Sequence, residues 1–257
     1  MTEFSKIERD GHLLIVTINR PEVMNAVHPA ANFELHEAFD SFAADPDLWV
    51  AIITGAGERA FCTGNDLVFQ AKGGTIEVPP TGFGGLTSRF DLTKPVIAAV
   101  NGYAMGGGFE IALACDLIVA ADNAVFALPE PRVGLAALAG GMHRLPRQIG
   151  LKAAMGLMLT GRRVSATEGK ELGFVNEVVP QAELLAAAKR WANLILECAP
   201  SSIKATKESV MKGLDKAGVE EAMLGNYKEI GNMFRSKNFR EGPRAFAEKR
   251  KPNWTGE

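Results

Sequence analysis

The stretch KPVIAAVNGYAMGGGFEIALACDLIVAADNAVFALPE, residues 94–130, decides the fold. Its first seven residues are a short apolar run behind a lysine and a proline, which predicts a buried strand. Three consecutive glycines, Gly106 to Gly108, follow, and Glu110 then opens an alanine-rich run that predicts a helix over 107–114. DLIVAA predicts the next strand and AVFALPE a short one that stops at Pro129 and Glu130. The triplet therefore lies at a strand-to-helix junction. Backbone N–H groups there can approach an oxyanion with no side chain in the way. A tight turn that allows close helix packing explains the same glycines equally well.

Upstream, HLLIVTINR and WVAIITG predict strands on either side of a helix over 29–44, which opens with Pro29 and repeats Ala31, Leu35, Phe39 and Phe42. AGERAFCTGNDL reads as a loop, and KGGTIEVPPTGFGG, residues 72–85, as a mobile lid or insertion outside the core. From about residue 140 the pattern is almost wholly helical. Leu184, Ala188, Trp191, Ile195 and Cys198 share one face of an amphipathic helix over 181–198, which needs a surface to pack on. There is no repeat of fixed period and no low-complexity segment.

A chain of 257 residues with 47% apolar content can bury a large core as one domain or as a domain with an appendage. A formal net charge of −2 gives no electrostatic reason to expect nucleic acid or an anionic membrane as a partner. Cys62, Cys115 and Cys198 are odd in number and widely spaced, which supports neither a disulfide framework nor a zinc site. A reducing cytoplasm is the expected location. No signal sequence or membrane span is evident.

Two glycine-bearing loops carry the candidate chemistry, FCTGND at 61–66 and AMGGGFE at 104–110. If they converge, the N–H groups of Asn65 and Gly107 point at one oxygen and hold the charge of an enolate. Glu110 follows the glycines in the first helical turn. There it could simply complement the helix dipole, but the apolar IALAC beside it makes an unpaired charge costly and points to function. Glu130 is either a solvated loop acid or the second member of a general acid/base pair. Dinucleotide, P-loop and nucleophile-elbow motifs are absent, and the four histidines show no ligand spacing.

Four separated motifs, AIITGAGERAFCTGNDL, the 94–130 stretch, LTGRRVSATEGKELGFVNEVV and EGPRAFAEKRKP, resemble the enoyl-CoA hydratase/isomerase (crotonase) superfamily over nearly the whole chain. GFGGLTSRF and the ending EGPRAFAEKRKPNW are most similar to the carnitinyl-CoA dehydratase branch. The resemblance implies an α/β fold, the crotonase (ClpP-like) spiral of ββα units. Residues 1–195 would form the core, and 196–257 a helical region that joins a homotrimer or a dimer of trimers. It implies that Asn65 and Gly107 form the oxyanion hole and that Glu110 and Glu130 are the acids of a hydratase, since family isomerases usually keep one. It places Asn25, Ala26, Val27, Thr63, Gly64, Asp66 and Leu67 along the CoA site, with Phe246 and Lys249 reaching CoA from the last helix. No metal or redox cofactor is expected, CoA being part of the substrate. Alternatives are a carnitinyl-CoA dehydratase, an isomerase, or a silent acyl-CoA or RNA binder. One departure stands out: Ala137 and Leu138 occupy the place of the Pro-Gly pair of typical hydratases, next to the water and acyl pocket.

Overall fold

A computed structural model describes residues 2–256. The chain opens with β1 (Ser5–Asp10), β2 (Leu13–Ile18), α1 (Pro29–Ala44), β3 (Val50–Gly55), β4 (Ala60–Cys62) and α2 (Leu67–Ala71). It continues through β5 (Val96–Val100), β6 (Tyr103–Met105), α3 (Gly107–Ala114), β7 (Leu117–Ala121) and β8 (Val125–Ala127). Next come α4 (Gly141–Ile149), α5 (Leu151–Thr160), β9 (Val164–Ser165), α6 (Ala166–Leu172), β10 (Glu177–Val179) and α7 (Leu184–Leu196). The tail holds α8 (Pro200–Gly213), α9 (Val219–Met223), α10 (Lys228–Arg235) and α11 (Lys237–Ala247). No helix among the described residues is long and apolar enough to cross a membrane.

Two sheets alternate along the chain. The larger runs β1-β2-β3-β5-β7-β10 and the smaller β4-β6-β8-β9. Each turn of the resulting spiral lays one strand in the large sheet and the next in the small one, and the second turn closes with α3. Parallel register carries Val16 onto Ile53, Ile53 onto Ala98 and Ala98 onto Ile118, a row that faces the main core with α1 and α3. The alternate row, Ile15, Ile52 and Ile97, faces the other way and is covered by α7. Both faces of the large sheet are thus buried, which is why its strands read as unbroken apolar runs. Phe109, Phe126 and Phe174 lock α3 to the small sheet, with ring centroids 5.1–5.2 Å apart.

Several expectations are corrected. The chain after residue 140 is mostly helical as expected, but two short strands, β9 and β10, also lie there and complete the two sheets. The loop at 56–67 contains β4, and β1 and β6 are additional strands. The supposed lid is divided: residues 72–78 are largely exposed, whereas Gly82, Phe83, Gly84, Gly85 and Leu86 are buried against α1 and α3. The amphipathic helix, α7, finds its surface within its own chain, on the large sheet.

Candidate active site

The glycine triplet has a separate steric reason at each position. Gly106 has φ +53°, and a Cβ there would lie 3.1 Å from Glu130 Oε1. A Cβ on Gly107 would press into the Phe83 ring at 2.6 Å, and one on Gly108 would overlap the Cys62 carbonyl. The tight-packing reading therefore holds, and the same glycines leave the first turn of α3 bare. Gly107 begins that helix, so its N–H has no intrahelical partner.

The two loops converge. A Cβ on Gly64, itself at φ +86°, would lie 2.9 Å from Gly107 N. Asn65 forms an isolated parallel bridge with Val27: the Val27 N–H donates to Gly64 O at 2.8 Å and the Asp66 N–H to Val27 O at 3.1 Å. Because those bonds flank Asn65, its own N–H is directed away from Val27. Its side chain is engaged elsewhere, Nδ2 donating to Gln70 Oε1 at 3.0 Å.

The carboxylates meet at the same junction. Glu110 is only 3% exposed, and its Oε1 accepts the Gly141 N–H at 2.8 Å, at the N-terminus of α4. Burial pushes its pKa up to about 7; the Gly141 N–H opposes the shift and the Glu130 charge adds to it. Glu130 enters from the turn after β8, which is held because the Gly106 N–H donates to Ala127 O at 2.9 Å. Burial raises its pKa as well. Its Oε2 is buried with no hydrogen-bond partner among the described residues, an acceptor position suited to water or a ligand.

The other candidates are placed as follows. Asn25 is fully buried and its amide is used internally, donating to Ala60 O at 2.7 Å and Ala56 O at 3.0 Å. Ala26 and Val27 are buried beside it, and Thr63 Oγ1 donates to Met24 O at 3.2 Å. Asp66 caps α2 and pairs with Arg20, while Leu67 is exposed. Phe246, 88% exposed, and Lys249 lie in the tail and share no hydrogen bond or ring contact with the carboxylates among the described residues. Leu138 is 78% exposed, and its N–H is spent on Ala136 O at 2.8 Å.

Sequence reasoning missed Gly141 and Arg144. Arg144 Nη2 donates to Thr87 O at 2.9 Å, its guanidinium lies 5.5 Å from the Phe90 ring centre, and its charge acts on Glu110. The signal for Gly141 was available. Gly140 and Gly141 open α4 just as the triplet opens α3.

A pair of carboxyl groups whose pKa values are raised by burial, beside backbone N–H groups, can add or remove a proton at carbons next to a polarised carbonyl. The sequence profile of the enoyl-CoA hydratase/isomerase family matches residues 8–257. The chain is 45% identical to a carnitinyl-CoA dehydratase of Salmonella typhi over 262 aligned positions, covering 100% of both proteins. A crystal structure of an enoyl-CoA hydratase from Mycobacterium tuberculosis H37Rv superposes with a TM-score of 0.93 at 41% identity, covering 99% of each chain. That of a carnitinyl-CoA hydratase from Mycobacterium avium gives 0.79 at 38%, again over 99% of each. With its spiral of paired strands and its carboxylate pair, the chain belongs to the enoyl-CoA hydratase/isomerase family.

Proposed function

We propose that the protein is a hydro-lyase that adds water reversibly across the 2,3-double bond of an enoyl-CoA thioester. The observation that carries this reading is the presence of two carboxyl groups with raised pKa, Glu110 and Glu130, at one glycine junction. Ionised Glu110 takes a proton from water as the water oxygen bonds to C3. The π pair of C2=C3 moves onto the thioester, and the resulting enolate oxygen is held by the N–H groups of Asn65 and Gly107. Protonated Glu130 then delivers its proton to C2. One carboxyl has gained a proton and the other has lost one, so a single transfer between them or through solvent resets the pair. The reaction changes no oxidation state and consumes no cofactor.

Carnitinyl-CoA dehydration is the second reading, favoured by the 45% identity to an enzyme of that name. A quaternary ammonium is usually held by aromatic faces. Phe83 is buried against Gly107, and the exposed Phe90 has the Arg144 guanidinium 5.5 Å from its ring centre, so the 82–90 segment offers a second cation one ring that already faces a positive charge rather than a cage. This supports a short, uncharged acyl group. We also read the tail as an oligomerisation region, since Val210, Met211, Leu214, Leu224 and Phe234 are exposed in the single chain. Light scattering should return a trimer or hexamer mass; a monomer removes that part.

The deciding experiment compares kcat/KM for crotonyl-CoA hydration, followed by loss of enoyl-thioester absorbance, with that for carnitinyl-CoA dehydration. Crotonyl-CoA should be faster. A carnitinyl preference of about tenfold or more, roughly 1.4 kcal/mol of transition-state stabilisation, replaces the general hydratase reading with the second one.

A further inference from the structure

We propose that Arg20 is a positioning residue for the oxyanion hole, clamping the loop that carries Asn65 to the 20–27 segment. The inference rests on the hydratase reading above. Arg20 Nη1 donates to Asp66 Oδ2 at 2.9 Å and also to the Ala26 carbonyl, so one guanidinium joins the two segments. The Asp66 carboxylate has no freedom left, because its Oδ1 accepts the Phe69 N–H at 2.9 Å and caps α2. Burial alone would raise its pKa, but the Phe69 N–H and the guanidinium outweigh it and hold the carboxyl below its usual value.

Between the two anchored residues lies the bridge already described, with Val27 bonded to Gly64 and Asp66 on either side of Asn65. Asn25 pins the other end of the segment: it accepts the Arg20 N–H at 3.0 Å and donates to the Ala60 carbonyl in β4. The peptide preceding Asn65 is thereby fixed at both flanks, and with it the direction of the N–H that faces the thioester oxygen.

The Arg20 and Asp66 side chains are 11% and 7% exposed. A pair desolvated to that degree adds little stability over an apolar pair of the same shape, and its best-attested use is to fix register. The register fixed here is that of the loop bearing a catalytic donor. A donor displaced by a fraction of an ångström still binds the ligand but holds the enolate poorly.

The test uses Arg20→Met, Arg20→Lys and Asp66→Asn, the last keeping the side-chain volume and an acceptor for the α2 cap. Two quantities are read: steady-state hydration of crotonyl-CoA, and the red shift of bound 4-dimethylaminocinnamoyl-CoA. That thioester absorbs at longer wavelength when donors polarise its carbonyl. The expected result for Arg20→Met and Asp66→Asn is kcat lower by about 10²-fold, KM within about threefold of wild type, and most of the red shift lost. The double variant should be no worse than the poorer single one within about twofold, because both remove the same contact. Arg20→Lys should regain part of the red shift. If Arg20→Met does not fold, Asp66→Asn decides. A variant with near-wild-type kcat and red shift overturns the clamp, as does a raised KM with kcat intact, which would mean that Arg20 binds CoA directly. A wild-type protein that neither hydrates crotonyl-CoA nor shifts the chromophore overturns the functional reading instead.

Discussion

Glu110 and Glu130 approach the same bare turn of α3 but are held in different ways. Glu110 belongs to the helix, is almost wholly buried, and has one oxygen fixed by the N-terminus of α4. Glu130 sits on a turn between prolines, is half-buried, and keeps one buried oxygen without a partner among the described residues. The same side-chain type is thus anchored in one place and left unsatisfied in the other. In the mechanism we propose, this difference in environment divides the roles: the anchored carboxylate takes the proton from water, and the one with an unpartnered oxygen delivers a proton to substrate.

The strongest way to break this comparison is to remove each acid in turn. Glu110→Gln and Glu130→Gln should each lower kcat for crotonyl-CoA hydration by about 10²–10⁴-fold, with CoA affinity by calorimetry nearly unchanged. Near-wild-type turnover by either variant would end the paired-carboxylate account. Somewhat smaller is the expected effect of Gly64→Ala, whose methyl would crowd Gly107 N while forcing an alanine to φ +86°. It should cost about 10²-fold in kcat through the oxyanion donors. A wild-type rate would show that the two loops need not meet so closely.

A third prediction sharpens the electrostatic side. Glu110 has its pKa raised from 4.5 to about 7 in the folded state, so between those values the native protein binds a proton that the unfolded chain has released. Its contribution to stability is therefore full below pH 4.5 and is lost as the pH rises through about 7, by a few kcal/mol. Other carboxylates, among them Asp40, Asp66 and Glu168, have lowered pKa values and the opposite sign, so the difference between wild type and Glu110→Gln isolates the effect. In denaturant melts the Gln variant should be the more stable at pH 8 and about equal at pH 4. The reverse order would contradict the buried, raised carboxyl. The smallest expected effect is that of Leu138→Gly. Opening the space beside the pocket should raise the kcat/KM ratio of a long to a short enoyl-CoA by about tenfold or less, and an unchanged ratio would place Leu138 outside the acyl path.

Legibility in the sequence followed the range of the interactions. Helices 29–44 and 107–114 were readable to the residue, because Pro29 and the glycine triplet mark their starts and local periodicity fills them. The strands β4, β6 and β9, of two or three residues each, exist only through their partners and leave no periodic trace. SKIERD, the sequence of β1, has one buried position and reads as polar. The glycines of 82–85 suggested mobility, yet Phe83 and Leu86 beside them are buried in the main core. In the site, Glu110 and Glu130 were visible as acids out of place, but their common target came from the family resemblance. Arg20 and Arg144 were invisible because they meet Asp66 and Thr87 at separations of 46 and 57 residues.

The central claim, hydration by a carboxylate pair, is tested most directly by turning over crotonyl-CoA in D2O and reading the product by mass spectrometry and NMR. The account predicts a 3-hydroxyacyl thioester with one non-exchanging deuterium, at C2. Deuterium at C4 with no hydroxylated product would mark an isomerase, and unchanged crotonyl-CoA a silent binder; either result would contradict the assignment.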